Sequence, residues 1–495
     1  MKRSAGVLLH PTCLPSAHGI GDLGPTAHAY LDWLAAAGVG FWQILPLNPP
    51  GPGHSPYSAT STFAGNPLLI NPDFLLDEGL LKDTDLADLP TFPEAWVDFA
   101  LAAAWKRELL GKAFARFRSD PGHLAGELEA FQSFNQSWLD DYAVFAALKT
   151  AHDGAPWYAW PVELARREPG ALDQWCADHE GEIGFETFAQ LLFHRQWNAI
   201  REHAADVGVG ILGDVPIFVA HDSADVWAHP ELFLMDEARE PTVVAGVPPD
   251  YFSPTGQLWG NPLYDWPRMA EDGYAWWIDR LRQTLATVDL VRLDHFRGFA
   301  AYWEVPASAD VATNGRWVPG PGRHFFDAIS EALGGLPFVA EDLGEITDDV
   351  VVLRDQLGLP GMAVLHFGFS PEPRSSFIPY AHHRNLVVYT GTHDNNTTLG
   401  WYLEDATDGE RELVRSYTGG DGSDVSWDLI RLVMASVADL AVVPHQDLAN
   451  LGGDCRMNTP AVADGNWTFR ITPWMLDGGI RDRLAAMIAT YGRNR

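Results

Sequence analysis

The chain has 495 residues, of which 46% are hydrophobic and 20% charged, as in an ordinary globular protein. Its 66 Asp and Glu against 33 Lys and Arg give a formal net charge of −33, which disfavours binding to nucleic acid or anionic membranes. The three cysteines, Cys13, Cys176 and Cys455, form no CxxC, so we expect no disulfides and a reducing, cytoplasmic location. No stretch approaches the ~20 apolar residues of a membrane-spanning helix.

Eight short apolar runs are typical of buried parallel strands, because each ends in polar or turn residues. In chain order they span 6–10, 41–47, 209–214, 288–294, 338–341, 362–369, 386–390 and 440–444. Helical patterns lie between most of them, for example at Tyr30, Trp33, Leu34 and Ala37. Strands alternating with helices in this way predict an α/β fold, a TIM-like (β/α)8 barrel.

Two connections between the runs are much longer than the others. Residues 49–205 are mostly helical in pattern, which predicts one or more helical subdomains inserted after the second strand. The connection 215–273 is rich in Pro, Gly and aromatics, which predicts long loops after the third strand. We therefore expect strands 1 and 2 within 1–48 and the rest of the catalytic barrel within 206–495.

Three of the apolar runs end in an acid, Asp214, Asp294 and Glu341, and Asp394 lies just beyond the seventh run. One acid after a strand means little, because Asp is a common helix N-cap. Four that end separate strands meet on the C-terminal face of a barrel, where the catalytic groups of this architecture lie. The sequence therefore predicts a carboxylate-based catalytic site on that face.

Two of these acids have opposed surroundings. Arg292 and Asp294 are two residues apart, so both side chains leave the same side of a strand. The arginine favours the ionised carboxylate that a nucleophile needs, although a structural ion pair is the alternative. Glu341 follows an apolar approach, which should raise its pKa as a proton donor requires. Such a pair, roughly 5–5.5 Å apart, is the one used in retaining glycoside chemistry.

His295 and His393 each stand beside an acid, so an HD-type metal pair is an alternative for both. These pairs follow β-like runs, and the sequence contains no HxxxH or HExxH, so we predict no metal site. For His295, a hydrogen-bonded core residue is a further alternative. The GxGxxG at 19–24 lies too far beyond the first strand for a dinucleotide fingerprint. We expect neither a metal nor an organic cofactor.

Several long segments are recognisable, among them SPYSATSTFAGNP, VRLDHFRGFAAYWEVPA, VAEDLG, YTGTHDNNTTLGW and the near-terminal RMNTPA and GNW. With them the chain resembles the amylomaltases of glycoside hydrolase family 77 over essentially its full length. The resemblance implies a 4-α-glucanotransferase that moves α-1,4-glucan segments by a retaining double displacement in maltodextrin, glycogen or starch metabolism. It implies Asp294 as the nucleophile, Glu341 as the general acid/base and Asp394 as the carboxylate that stabilises the transition state.

The same resemblance implies residues that bind the substrate. Segment 248–260 resembles a mobile aromatic loop that covers the acceptor, and we expect it to act as a lid. A loop aromatic found in some relatives is replaced here by 49–54 (PPGPGH), which argues against an extra glucan site in that loop. The expected binding residues are Tyr57, Asp214, Asp250, Tyr251, Phe252, Gln257, Trp259, Arg292, His295, His393 and Asn466.

The three carboxylates alone do not separate a transferase from a hydrolase, because both use the same glycosyl-enzyme intermediate. A lid that excludes water would favour transfer, and an α-1,4-glucan hydrolase with modest transfer is the alternative. A catalytically dead glycan-binding protein is a second alternative, against which the complete set of three acids argues. We expect glucan donors and acceptors as partners, no nucleic acid or membrane, and a monomer or weak oligomer.

Overall fold

Twelve strands occur in the computed structural model, which describes residues 2–249, 255–344, 346–369 and 376–494. They are β1 Ser4–Leu8, β2 Phe41–Gln43, β3 Gly210–Pro216, β4 Val243–Val247, β5 Gln257–Pro262, β6 Leu290–Asp294, β7 Ala301–Pro306, β8 Arg316–Pro319, β9 Phe338–Ala340, β10 Gly361–Val364, β11 Leu386–Tyr389 and β12 Leu440–Pro444. Each of the eight apolar runs in the sequence contains or overlaps one of these strands.

Eight strands form one parallel sheet in the order β10-β11-β12-β1-β2-β3-β6-β9. The two ends of the sheet approach each other, since the Ala340 amide of β9 donates to the Pro360 carbonyl beside β10 at 2.9 Å. Strands β1, β10, β11 and β12 are buried along their whole length, because helices cover a parallel sheet on its outer face. The predicted (β/α)8 barrel is confirmed.

Helices connect the strands and enclose the barrel. Helix α1 begins at Pro25, whose missing N–H costs nothing in the first turn, and the chain turns away at Gly38 with a φ of 78°. The helices are α1 Pro25–Ala36, α2 Pro72–Asp77, α3 Phe99–Ser119, α4 Leu124–Ala151, α5 Val162–Ala165, α6 Pro169–Asp178, α7 Glu180–Val207, α8 Ala224–Ala228, α9 Trp266–Glu271, α10 Ala275–Thr287, α11 Arg297–Ala300, α12 Gly322–Leu333, α13 Asp348–Gln356, α14 Thr398–Gly400, α15 Asp408–Thr418, α16 Val425–Ala435, α17 His445–Leu448 and α18 Gly478–Thr490.

The long connection between β2 and β3 contains α2 to α7, as the sequence predicted for 49–205. Its last helix, α7, is tied to the start of the connection by two buried glutamines. The Gln190 amide exchanges hydrogen bonds of 2.7 and 2.9 Å with the backbone of Gly65, and Gln196 does the same with Asn71 at 2.7 and 3.0 Å. These bonds fix the helices against the segment that leaves the barrel. The division of the chain into 1–48, 49–205 and 206–495 stays a prediction.

The connection after β3, predicted as long loops, also carries α8, β4, β5 and α9. Strands β4 and β5 join β7 and β8 in an antiparallel sheet of order β5-β4-β7-β8. Sequence analysis missed this sheet because β5 contains Gly and Asn, is largely exposed and shows no apolar alternation. None of the described helices combines the length and the apolar character that a membrane crossing requires.

Candidate active site

The four strand-end acids lie where the barrel topology predicts. Asp214 lies within β3, Asp294 is the last residue of β6, Glu341 directly follows β9, and Asp394 lies in the turn after β11. Carboxyl ends of parallel strands meet at one face of a barrel, so these groups share that face. The contacts among the side chains show how closely they are coupled.

Arg292 joins two of the acids. Its Nη1 donates to Asp214 Oδ1 and Oδ2 at 2.9 and 2.8 Å, and its Nη2 lies 2.8 Å from Asp294 Oδ1. Burial alone would lower the pKa of Arg292, but Asp214 and Asp294 outweigh it and hold this pKa above its ordinary value. Burial raises the pKa of Asp214, an effect that Arg292 opposes. Arg292 Nη1 donates to both carboxylate oxygens of Asp214, which stabilises the ionised form of this acid.

Glu341 has the opposite surroundings. Its Oε2 accepts from the His295 backbone N–H at 2.7 Å, and its Oε1 accepts from the Leu343 N–H at 2.9 Å. Burial raises the pKa of Glu341 to about 7, with Arg292 opposing the rise and Asp294 adding to it. The hydrogen bond to His295 ties Glu341 to the residue that directly follows Asp294. Glu341 can therefore carry a proton at neutral pH, next to the ion pair of Asp294 with Arg292.

Tyr57 reaches the same cluster from the inserted connection. Its hydroxyl donates to Asp214 Oδ2 at 2.8 Å, and its ring stacks on His393 with centroids 5.1 Å apart at 11°. Trp467 packs against both rings, at 5.9 Å from Tyr57 and 6.0 Å from His393. Trp467 was not among the predicted site residues, although it belongs to the GNW segment. These rings form an aromatic wall that continues from Asp214 to the turn containing Asp394.

Asp394 is held by the near-terminal segment. Asn458 Nδ2 donates to Asp394 Oδ1 at 2.7 Å, and Arg456 Nη2 donates to the Asp394 carbonyl at 2.5 Å. Asp394 Oδ2 lies 3.3 Å from His393 Nε2, and the Asn458 N–H donates to the His393 carbonyl at 3.1 Å. Arg456 and Asn458 belong to the RMNTPA segment, but no local pattern in the sequence indicates a role for them. Only the fold brings them to the carboxylate.

His295 directly follows Asp294, and Trp259 packs against His295; we call these two residues the rim. Trp259 lies in β5 with its ring 4.8 Å from that of His295 at 77°, and its Nε1 donates to Gln257 Oε1 at 3.1 Å. Burial lowers the pKa of His295 to about 4, although Asp294 opposes this shift. His295 is therefore neutral at pH 7, and its Nε2 is buried without a hydrogen-bond partner among the described residues.

Several predicted binding residues remain to be placed. The Asn466 side chain accepts from the Thr459 N–H at 2.8 Å and donates to the carbonyls of Thr459 and Val462 at 3.3 and 2.8 Å, so it holds its own loop. A role of Asn466 in substrate binding stays a prediction. Within the described ranges there is no group of three or more His, Cys, Asp or Glu that could hold a metal ion. The expected binding residues Asp250, Tyr251 and Phe252 lie outside the described residues.

Comparison with known proteins decides the family. A family model described as 4-alpha-glucanotransferase matches residues 9–476. The chain belongs to glycoside hydrolase family 77. It is 48% identical to a 4-alpha-glucanotransferase of Synechocystis sp., covering 99% of this chain and 98% of that protein. It is 49% identical to the 4-alpha-glucanotransferase of Thermus thermophilus, covering 98% of both.

The fold supports the same assignment. The structure of the Streptococcus agalactiae amylomaltase in complex with acarbose is similar to this chain with a TM-score of 0.97 and 36% identity, covering 100% of both chains. The family predicted from the sequence segments is confirmed, and the chain is a 4-α-glucanotransferase of that family. The roles of individual residues do not follow from these likenesses.

Proposed function

We propose that this chain transfers α-1,4-glucan segments between glucan chains through a covalent intermediate on Asp294. In the first step an Asp294 oxygen bonds to the anomeric carbon while the bond from that carbon to O4 of the next glucose breaks. Glu341 gives its proton to that departing oxygen, which leaves as a 4-hydroxyl group. In the second step the 4-hydroxyl of an acceptor attacks the anomeric carbon, returns a proton to Glu341 and frees Asp294.

The observation that carries this proposal is the contrast between the two carboxyl groups. Arg292 Nη2 lies 2.8 Å from Asp294 Oδ1, and this ion pair holds the carboxylate in place for attack. Burial raises the pKa of Glu341 to about 7, which favours the protonated form needed by the leaving group. A nucleophile and a proton donor with such opposed environments are what the double displacement requires.

The neighbouring groups have supporting roles in the proposal. Asp394 and His393 form hydrogen bonds with the hydroxyl groups of the bound sugar. These hydrogen bonds become stronger as positive charge develops at the anomeric carbon. The Tyr57 ring, fixed by its hydrogen bond to Asp214, provides an apolar face under that sugar. Asp214 in turn holds Arg292 in place beside the nucleophile.

Transfer rather than hydrolysis depends on keeping water from the intermediate. Trp259 and the neutral His295 supply an apolar rim next to Asp294, on the side where we propose that the acceptor enters. We include segment 248–260 as a lid over this side, with Gln257 as a hydroxyl partner. We also propose a cytoplasmic location and a monomer or weak oligomer, and the three free cysteines support the location.

Product analysis from maltotriose tests the proposed function. We expect a ladder of shorter and longer glucans, with glucose as a by-product of each transfer to another maltotriose. Thin-layer chromatography after incubation resolves these products, and the Glu341→Gln variant serves as the inactive control. Glucose and maltose alone would identify a hydrolase, and an unchanged substrate would identify a glucan-binding protein.

A further inference from the structure

A cavity outside the candidate active site lies where α4 of the inserted helices meets α8 and α10. Its volume is about 250 Å³, close to the lower end of the roughly 300–1,000 Å³ found for small-molecule pockets. Asp294, Glu341 and Asp394 all lie outside its lining. Small-molecule sites often lie between packed helices, as this cavity does. We call this cavity the α4–α10 pocket.

Aromatic rings form the walls of the α4–α10 pocket. Phe63 stacks on Trp138 with centroids 6.2 Å apart at 14°, and it meets Trp276 edge-on at 6.0 Å and 79°. Trp138 is buried, whereas Phe63 and Trp276 are only partly buried. Aromatic rings that line an open cavity offer apolar faces against which the C–H surface of a sugar ring can pack.

Five carboxylates line the pocket and can accept hydrogen bonds from a ligand. Asp141 pairs with Arg167, Asp279 lies 2.7 Å from Arg282, and Glu231 lies 3.4 Å from His229. Asp225 accepts from Thr62, and Asp272 accepts from the Ala275 N–H at 3.2 Å. An ionised carboxylate has about four acceptor positions, so each of these groups can still accept from a ligand hydroxyl. The chemistry that fits aromatic walls and several hydrogen-bond acceptors is a polyhydroxylated molecule.

One short segment connects this pocket with the proposed catalytic centre. Tyr57 binds Asp214 in the centre, and Ser61 and Phe63 line the pocket only a few residues later. Thr62 lies between Ser61 and Phe63. The N–H and the hydroxyl of Thr62 each donate to a carboxylate oxygen of Asp225 at 2.9 Å. Asp225 also lines the pocket. These hydrogen bonds therefore fix the segment that contains Tyr57 to the wall of the α4–α10 pocket.

We propose that the α4–α10 pocket is a second glucan-binding site, which holds one or two glucosyl units of a long α-glucan outside the catalytic cleft. The identity of the sugar rests on the proposed function. A long glucan that is bound in the α4–α10 pocket has a higher effective concentration at the catalytic centre. The pocket therefore favours long glucans over maltotriose as substrates.

Counting binding sites tests this proposal directly. The probe is a sulfur-linked maltooligosaccharide, which the enzyme does not cleave, titrated calorimetrically into the otherwise unmodified chain. We expect two sites. Trp276→Ala removes one wall and Ala275→Leu narrows the pocket with its walls intact, so each should weaken one site about tenfold or more and spare the other. Phe134→Ala, an exposed ring elsewhere on α4, is the matched control and should keep both sites.

The outcomes separate this proposal from the proposed function. If one site is found and both pocket variants weaken it, the pocket stands and glucan binding in the catalytic cleft fails. If both pocket variants bind like the parent, or if choline occupies the pocket in preference to the glucan, the proposal is overturned. Should Trp276→Ala fold poorly by circular dichroism, Ala275→Leu decides alone. In kinetics, the pocket variants should raise the KM for amylose several-fold and leave kcat and KM for maltotriose unchanged.

Discussion

Replacing Asn458 with alanine removes the side-chain hydrogen bond that holds Asp394 Oδ1 at 2.7 Å. A hydrogen bond to a charged group contributes about 1.5–3 kcal/mol, and each 1.4 kcal/mol corresponds to about tenfold in rate. The Asp394 side chain is 43% exposed, so water screens part of this interaction and the lower end applies. We expect kcat for maltotriose transfer to fall about tenfold, with little change in KM, because Asp394 acts mainly in the transition state.

Two further variants make this prediction specific. Asn458→Asp places a like charge beside Asp394 and should lower kcat more than Asn458→Ala does. Asn385→Ala is the matched control, because its exposed amide donates to the Gly358 carbonyl at 3.1 Å, and kcat should stay at the parent value. The readout is the initial rate of transfer over a range of maltotriose concentrations. An unchanged kcat in Asn458→Ala would refute the reasoning, as would a rise in KM alone.

The remaining predictions concern the proton donor and the rim. Glu341→Gln should stop turnover of maltodextrins but spare much of the first step with a glycosyl fluoride, because fluoride leaves without a proton. If burst kinetics show equal rate losses for the two donors, the acid/base role of Glu341 is excluded. For the parent, kcat/KM should fall as the pH rises through about 7, since the acid form of Glu341 is the active one, and a flat profile would contradict this. Trp259→Ala should raise free glucose relative to transfer products from maltotriose; an unchanged ratio would exclude a role in keeping water out.

The barrel could be predicted because buried parallel strands are continuous apolar runs. Residues 440–444 and 386–390, for example, are buried on both faces of the sheet. Their apolar sequence alone therefore predicts a strand, without knowledge of the strands that pair with it. The antiparallel sheet could not be predicted, because β5 is largely exposed and its pairing with β4 is fixed only in three dimensions.

In the candidate site, too, contacts between residues close in sequence could be predicted, and contacts between distant residues could not. Arg292 and Asp294 could be paired because a strand repeats every two residues, and the 2.8 Å contact agrees with that spacing. Asn458 lies 64 positions after Asp394, and Trp467 lies further still, so nothing local links either residue to the carboxylate. Their only signal was that the RMNTPA and GNW segments match the family.

Covalent trapping tests the central claim most directly. A slow fluorinated maltosyl donor should leave its sugar on the nucleophile, and mass spectrometry of the digested protein locates the label. We expect a glycosylated peptide containing Leu293, Asp294 and His295, and no label in the Asp294→Asn variant, whose turnover should fall by about 10⁴-fold or more. A label on Glu341 or Asp394, or full activity of the Asp294→Asn variant, would contradict the account.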